Sequence, residues 1–129
     1  MNNIEILLNC ISAFNKCDLE WLNRYYSRNL EWNEMPRYLY PKGRSGGYLE
    51  YKNAAQNVLS IFPNRKLAVV RSFCDGNTVI LEQVFFAVSA VTIGNIQKGD
   101  SVHQMILSIF EIKNELIIKQ TDYISTINE

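Results

Sequence analysis

Apolar residues alternate with polar ones along the second half of the chain, which predicts β-strands there. The stretch Val102–Tyr123 is dominated by Val, Ile, Leu, Phe and Tyr, so we expect two long strands joined by a tight turn at Lys113–Asn114. Upstream, Asp75–Gly76 is a strong hairpin signal between a strand predicted over Arg65–Cys74 and a longer one over Thr78–Thr92. These segments together predict an antiparallel meander.

The first half of the chain instead has apolar residues at helical spacing. One such pattern runs from Ile4 to Phe14 and predicts an amphipathic helix that ends near Asn15. A second, short helix is predicted to begin at Asp18, which can serve as its N-cap. A third is predicted over Tyr48–Phe62, with Ser45 as its cap.

Two connecting segments complete the predicted order of elements. Asn29–Glu34 reads as a short strand that stops before Met35–Pro36, because proline cannot donate to a sheet ladder. Residues 37–47 are rich in Gly, Pro and Tyr, which is typical of a loop that can cover a pocket. Helices followed by an antiparallel meander indicate an α+β fold, and a length of 129 residues predicts one domain over residues 1–129.

Both faces of the long strand from Thr78 are largely apolar. An antiparallel sheet with one covered face should alternate clearly between apolar and polar residues. We therefore expect the helices to cover one face of the sheet and a second copy of the chain to cover much of the outer face, giving a homodimer.

Four polar side chains share one face of these otherwise largely apolar strands. If that face lies under the helices, the polar side chains converge in a mostly apolar cavity, which is how a small-molecule site looks. The four residues are Gln83, Ser108, Gln120 and Asp122. His103 has the opposite strand parity from Ser108, so we expect it to face away from the cavity.

Composition narrows the classes of partner. Thirteen basic and thirteen acidic residues give a formal net charge of zero, which argues against nucleic acid and against a polybasic membrane anchor. Three cysteines without a C-x-x-C pattern suit a reducing cytoplasm, where we expect the protein to reside, and Cys10 is expected to be a small core residue. We expect no secretion signal, no transmembrane segment and, with one histidine, no histidine-based metal site.

Four segments resemble the SnoaL-like branch of the NTF2-like superfamily, which includes ketosteroid isomerases, polyketide cyclases and limonene epoxide hydrolases. They are NKCDLEWLNRYY at Asn15–Tyr26, NLEWNEMP at Asn29–Pro36, GRSGG at Gly43–Gly47 and FEIKNELIIKQTDY at Phe110–Tyr123. The resemblance covers nearly the whole chain. It implies a cone: a curved, mainly antiparallel sheet wrapped around N-terminal helices, with an internal apolar pocket and dimers through the outer sheet face.

The family's functional residues carry over unevenly. Asp122 falls where SnoaL-like cyclases and limonene epoxide hydrolases keep a pocket carboxylate. An Arg and an Asp of the hydrolases are replaced by Gln83 and Phe85, and a Tyr and an Asn by Trp32 and Glu34, so epoxide hydrolysis is disfavoured. The oxyanion-hole Tyr and Asp of ketosteroid isomerase fall on Cys10 and Ser108, which does not support that arrangement either.

Asp122 is the first catalytic candidate, as a general acid or base whose pKa apolar surroundings would raise. Glu34 is the second, because two carboxylates in different environments can divide the acid and base roles. For both, the alternative is a solvated carboxylate at the end of a strand, paired in the case of Asp122 with Lys119 or an arginine. The candidate substrate-binding residues are Trp32, Gln83, Phe85, Ser108, Gln120, Tyr38 and Tyr40, whose alternative role is packing or mutual hydrogen bonding.

The resemblance implies a protein that binds a small hydrophobic or polyketide-like molecule. Catalysis would be proton transfer without a cofactor or metal, leading to isomerisation, cyclisation or dehydration at a carbon next to a carbonyl. A non-catalytic ligand-binding module is the alternative from another class, and the lost catalytic partners favour it. An interaction scaffold with a filled pocket is a third reading.

Overall fold

The computed structural model describes residues 1–127 of the chain, which form an α+β fold as the sequence predicts. The helices within this range are α1 (Asn3–Asn15), α2 (Glu20–Tyr25) and α3 (Tyr48–Ile61). The strands are β1 (Tyr26–Glu34), β2 (Arg44–Gly46), β3 (Asn64–Asp75), β4 (Thr78–Val88), β5 (Ser101–Lys113) and β6 (Leu116–Thr126).

The strands form one curved, unclosed sheet in the order β2-β1-β6-β5-β4-β3. Neighbouring strands are antiparallel except for β1 and β6, which run parallel. The parallel register places Trp32 opposite Gln120 and Glu34 opposite Asp122. The sheet wraps around the helices and gives the cone that the resemblance implies.

Local chemistry sets the starts of the helices, and two predicted caps are wrong. Asn2 caps α1 by accepting a hydrogen bond from the Glu5 backbone N–H at 2.8 Å. Asp18 accepts from the Glu20 N–H, but it lies one residue before the N-cap of α2. Ser45 belongs to β2, and α3 starts from Gly47, whose N–H donates to the Glu50 side chain.

No helix among residues 1–127 has the length and apolar character needed to cross a lipid bilayer.

Several strands differ from prediction, and β2 (Arg44–Gly46) lies in the segment 37–47 that was expected to be a loop, because it pairs with the end of β1. β1 begins at Tyr26, so this tyrosine lies on the sheet and not on the short helix. β4 ends at Val88, because the next residue, Ser89, turns the chain by hydrogen-bonding the Val91 carbonyl oxygen. The turn between β5 and β6 falls at Asn114 and Glu115, both with positive φ, as a two-residue hairpin of this hand requires.

The core lies between the helices and the inner face of the sheet. On β4, the alternate residues from Val79 to Ala87 face the helices and are all buried, whereas Phe86 and Val88 on the outer face are exposed. His103 stacks on Phe86 with ring centroids 4.3 Å apart, on the outer face as predicted. Further apolar residues exposed on the outer face are Phe73, Met105, Leu107 and Tyr123.

Candidate functional site

Asp122 is buried on the inner face of the sheet near the end of β6. Strand alternation places Gln120 and Asp122 on the same face, and antiparallel pairing sets Ser108 of β5 directly opposite Asp122. The Asp122 residue is 7% exposed, so the solvated, strand-end alternative does not apply. Its hydrogen-bond partners are neutral side chains, not Lys119.

Within residues 1–127, the side chains that donate to the Asp122 carboxyl group are all neutral. Ser108 Oγ donates to Oδ1 at 2.7 Å, and the Trp32 indole N–H donates to Oδ2 at 3.1 Å. Gln120 Nε2 lies 3.1 Å from both oxygens. Gln83 Nε2 in turn donates to Ser108 Oγ at 3.1 Å, which fixes the serine proton toward the carboxylate.

Burial raises the pKa of Asp122 above its ordinary value of 3.8. The hydrogen bonds from Ser108, Gln120 and Trp32 oppose this shift, because they stabilise the charged form. The negative charge of nearby Glu34 adds to it. The net direction is upward, as a carboxyl group that exchanges protons nearer neutrality requires.

Two tyrosines extend this network on the helical side. The Tyr26 hydroxyl donates to Gln120 Oε1 at 2.5 Å, and Gln120 Nε2 donates to the Tyr51 hydroxyl at 3.2 Å. The rings of Tyr26 and Tyr51 stack with centroids 5.0 Å apart. Burial is the main cause that raises the pKa of both tyrosines, so both hydroxyl groups keep their protons.

Glu34, the neighbour of Asp122 across the sheet, is held by arginines. Arg44 donates to both of its carboxylate oxygens, at 2.9 Å and 3.0 Å, and Arg37 Nε lies 3.5 Å from one of them. Tyr40 stacks beside this group, with its ring centroid 3.9 Å from the Arg44 guanidinium carbon. The Glu34 charge is therefore balanced within the wall of the site.

A cavity of about 180 Å³ lies between the sheet and the helices, with Asp122 and Glu34 in its wall. Most of its lining is apolar. A volume of about 150 Å³ is known to hold benzene in another protein, so this space suits a small molecule of one or two rings. The aromatic side chains of the wall are Phe14, Trp21, Tyr26, Trp32, Tyr51, Phe62, Phe85 and Phe110.

The structure brings most of the predicted site residues together around this cavity. Tyr38 lies apart from it and is 59% exposed, while Tyr40 packs on the arginines beside the cavity rather than on its wall. The predicted residues found in the wall are Asp122, Glu34, Trp32, Gln83, Phe85, Ser108 and Gln120.

Sequence reasoning missed four residues of the site. Tyr51 sits one helical turn before Ala54 and Ala55 on the apolar side of α3, and this periodicity could have identified it. Tyr26 is the first residue of β1, a strand that the sequence predicts to begin only at Asn29. Arg37 and Arg44 fall in the segment predicted as a loop, whose sequence carries no signal for a wall residue. Arg44 is the first residue of β2, and the pairing of β2 with β1 sets it opposite Glu34.

No protein-family model and no curated protein matches the chain, but solved structures do. A candidate polyketide cyclase from Streptomyces antibioticus superposes with a TM-score of 0.81 at 16% identity, covering 99% of this chain and 94% of that one. A candidate SnoaL-like polyketide cyclase from Jannaschia sp. CCS1 gives 0.78 at 11%, covering 95% and 85%. An epoxide hydrolase of the limonene-hydrolase-like type from M. tuberculosis gives 0.70 at 15%, covering 95% and 81%. At these identities the likeness is one of fold.

Proposed function

We propose that this chain, which has the NTF2-like fold of SnoaL-like proteins, binds a small hydrophobic molecule and transfers a proton with Asp122. One observation carries the proposal: a buried carboxyl group with a raised pKa lies in the wall of an apolar cavity. A carboxylate removed from water is a stronger base than the same group in solvent. Neutral donors around it keep its orientation fixed.

The proposed reaction needs no cofactor. The Asp122 carboxylate takes a proton from a carbon next to a carbonyl group, and the C–H electron pair becomes a carbon–carbon double bond as the carbonyl oxygen gains negative charge. Returning the proton to a different carbon gives isomerisation. Attack of the enolate carbon on a second carbonyl gives cyclisation, and the alkoxide that forms takes the proton back from Asp122. When Asp122 instead gives that proton to a β-hydroxyl group, the hydroxyl leaves as water and the result is dehydration.

The aromatic wall supports a planar, conjugated ligand, because flat rings stack on aromatic side chains. A polyketide-like molecule has this shape and carries carbonyl groups with acidic neighbouring hydrogens. The cavity volume of about 180 Å³ favours a ligand, or a reacting portion of one, with one or two rings.

In this proposal Glu34 has an electrostatic role rather than that of a second acid or base. Its carboxylate oxygens are bound by Arg44, and Arg37 lies close by, so a ligand proton would have to displace guanidinium hydrogen bonds. Its charge nevertheless raises the pKa of Asp122. The carboxylate therefore tunes the base and anchors β2 to β1.

A nitrobenzisoxazole tests the base directly. Removal of its ring C–H proton breaks the N–O bond and releases a coloured cyanophenolate, so proton abstraction is followed by absorbance. The wild-type protein should accelerate this reaction and Asp122→Asn should abolish the acceleration, whereas Asp75→Asn, at an exposed position, should leave it unchanged. Full activity in Asp122→Asn would refute the proposal.

A non-catalytic binding module is the second candidate. The observation in its favour is that both Asp122 oxygens already accept two hydrogen bonds each, which leaves little room for a substrate proton. This candidate predicts that the nitrobenzisoxazole binds, as followed by quenching of tryptophan fluorescence, without any turnover in the wild-type protein.

We also propose that a second copy of the chain covers the outer face of the sheet. Phe73, Phe86 and Tyr123 are 52%, 49% and 44% exposed there, which is costly for aromatic side chains in water. Sedimentation velocity should show a dimer for the wild type and a shift to monomer for Leu107→Glu. A wild-type monomer at high concentration would contradict this proposal.

Three free cysteines support a reducing compartment, the cytoplasm, as the site of action. Two of them, Cys17 and Cys74, are exposed thiols that an oxidising environment would modify. Microscopy of the tagged protein should place it in the cytoplasm.

A further inference from the structure

The Asp122 carboxyl group accepts hydrogen bonds at both oxygens, from three side chains of different kinds. Ser108 Oγ donates to Oδ1 and the Trp32 indole N–H to Oδ2, while Gln120 Nε2 lies 3.1 Å from both. An indole N–H and an amide NH2 group can only donate, whereas a hydroxyl group can donate or accept. Of these three partners, Ser108 is therefore the one that can accept a hydrogen bond from a protonated Asp122.

Ser108 can accept from Asp122 only if its own proton goes to another acceptor. Its second neighbour is Gln83, whose Nε2 donates to Ser108 Oγ at 3.1 Å, and this is the one hydrogen bond of the Gln83 side chain within residues 1–127. Gln83 is 4% exposed and lies in the cavity wall, so its carbonyl oxygen is buried there without a donor from the described residues. A half-turn about the last side-chain bond exchanges the amide nitrogen and oxygen, because that torsion has a broad, roughly two-fold profile. The oxygen then meets the Ser108 hydroxyl.

We propose that Ser108 and Gln83 form a hydrogen-bond switch that reverses direction when Asp122 gains a proton. In the charged state, Gln83 donates to Ser108 and Ser108 donates to Asp122. In the protonated state, Asp122 donates to Ser108 and Ser108 donates to the carbonyl oxygen of the turned Gln83 amide. This inference rests on the proposed function and adds two positioning residues to it, which act on the ligand through Asp122.

The switch conserves both protons and hydrogen bonds. The proton that Asp122 removes from the ligand is the one that it then shares with Ser108, and the C–H electron pair stays on the ligand as the enolate. No covalent bond of Ser108 or Gln83 breaks, and each state keeps two hydrogen bonds along the three side chains. The protonated state is therefore not left with an unsatisfied buried hydroxyl group, and the occupied Asp122 oxygens do not bar a proton.

Gln120 also presents an amide to Asp122, but other groups hold it on both sides. The Tyr26 hydroxyl donates to Gln120 Oε1 at 2.5 Å, and Gln120 Nε2 donates to the Tyr51 hydroxyl at 3.2 Å. Turning this amide would require both tyrosine hydroxyl groups to reverse, whereas turning Gln83 disturbs only its bond with Ser108. The switch therefore lies on the Gln83 side of the carboxyl group.

The ionisable groups that face Asp122 come from four elements and one loop. They are Glu34 and Tyr26 of β1, Arg44 of β2, Tyr51 of α3, Cys10 of α1 and, beside Glu34, Arg37. Burial is the main cause that raises the pKa of Tyr26, Tyr51 and Cys10, so these three groups stay protonated around neutrality. Glu34→Gln removes the other carboxyl group of this set and shows which of the two drives the switch.

NMR with 15N-labelled glutamine side chains measures the direction of the Gln83 amide in the unmodified protein. Above the Asp122 pKa, the Gln83 Nε2 protons point to Ser108 and should give strong nuclear Overhauser effects with its Cβ protons. Below that pKa, the same effects should weaken severalfold, because the turned amide places its oxygen there instead. The midpoint should coincide with the titration of the Asp122 carboxyl carbon, followed in the same samples.

Gln104 is the matched control. It is a buried glutamine on the inner face of β5, and its Nε2 donates at 3.0 Å to Thr126 Oγ1, a hydroxyl group without a bond to a carboxyl group in residues 1–127. Its effects with Thr126 should not change with pH. In Asp122→Asn the Gln83 effects should also become independent of pH, whereas in Glu34→Gln they should still change, at the midpoint of Asp122.

The outcomes separate the switch from the proposed base. Constant Gln83 effects while the Asp122 carbon titrates would overturn the switch and leave the base intact. A Gln120 amide that turns in place of Gln83, or a Gln83 change that disappears in Glu34→Gln, would also overturn it. An Asp122 carboxyl group that does not titrate above its ordinary value of 3.8 would overturn the base and the switch together.

Discussion

Ser108→Ala should destabilise the protein more when Asp122 is charged than when it is neutral. Ser108 donates to Asp122 at 2.7 Å in a buried position and accepts from Gln83. A hydrogen bond to a charged group contributes about 1.5–3 kcal/mol, and one between neutral groups about 0.5–1.5 kcal/mol. The cost of leaving the Gln83 amide without its acceptor is common to both protonation states.

The difference between the two protonation states appears as a pH dependence. The folded-state pKa of Asp122 is raised, so its proton stabilises the fold fully below the unfolded-state value near 3.8, and this stability is lost as the pH rises through the folded-state pKa. Ser108→Ala removes a bond that favours the charged form, so it raises the folded-state pKa further. Above that pKa, Ser108→Ala should lose about 1 kcal/mol more unfolding free energy than it loses below it. This corresponds to a rise of roughly one unit in the folded-state pKa of Asp122.

Urea denaturation at a series of pH values measures this difference. The loss of unfolding free energy in Ser108→Ala should grow between acidic and neutral pH, while Ser72→Ala, at an exposed position of β3, should cost less than about 0.5 kcal/mol throughout. A Ser108→Ala loss that is the same at both ends of the pH range would refute the coupling between Ser108 and the Asp122 charge.

Two further predictions concern other groups in the wall. Glu34→Gln should lower the pKa of Asp122, because it removes a nearby negative charge and leaves the Arg44 charge unbalanced; NMR of labelled aspartate carboxyl carbons would measure this shift. Cys10 should resist iodoacetamide in the folded protein, because burial raises the pKa of its thiol to about 12, whereas the exposed Cys17 and Cys74 should be alkylated and detected by mass spectrometry.

The predictions for Glu34→Gln and for Cys10 each have a control within the same protein. Glu31→Gln alters an exposed carboxylate on the same strand and should leave the Asp122 pKa unchanged. An Asp122 pKa that rises or stays constant in Glu34→Gln would contradict the assigned electrostatic role. Alkylation of Cys10 as fast as that of Cys17 in the native protein would contradict its burial.

Sequence patterns predict those parts of the site that follow from local geometry. The alternation of side chains along β5 and β6 places Ser108, Gln120 and Asp122 on one face, and the hairpin sets Ser108 opposite Asp122. The apolar second face of β4 likewise follows from its sequence. The face assignments need only the strand period, whereas the pairing of Ser108 with Asp122 also depends on the turn at Asn114 and Glu115 and on the bulge between Glu111 and Ile112, which the sequence does not predict.

The rest of the site depends on contacts between distant parts of the chain. The parallel pairing of β1 with β6 joins segments about 90 residues apart, and it alone brings Trp32 and Glu34 beside Asp122. Tyr51 reaches the network because α3 lies across the sheet. No local propensity encodes either arrangement, so Glu34 was predicted as a free second carboxylate and its arginine partners were missed.

The most direct test is a pH titration of the Asp122 carboxyl carbon by NMR, assigned by comparison with Asp122→Asn. The carboxyl group should titrate above the ordinary value of 3.8, because burial outweighs the hydrogen bonds that it accepts. A carboxyl group that titrates at or below that value would contradict the account, since such a group would be too weak a base for the proposed proton transfer.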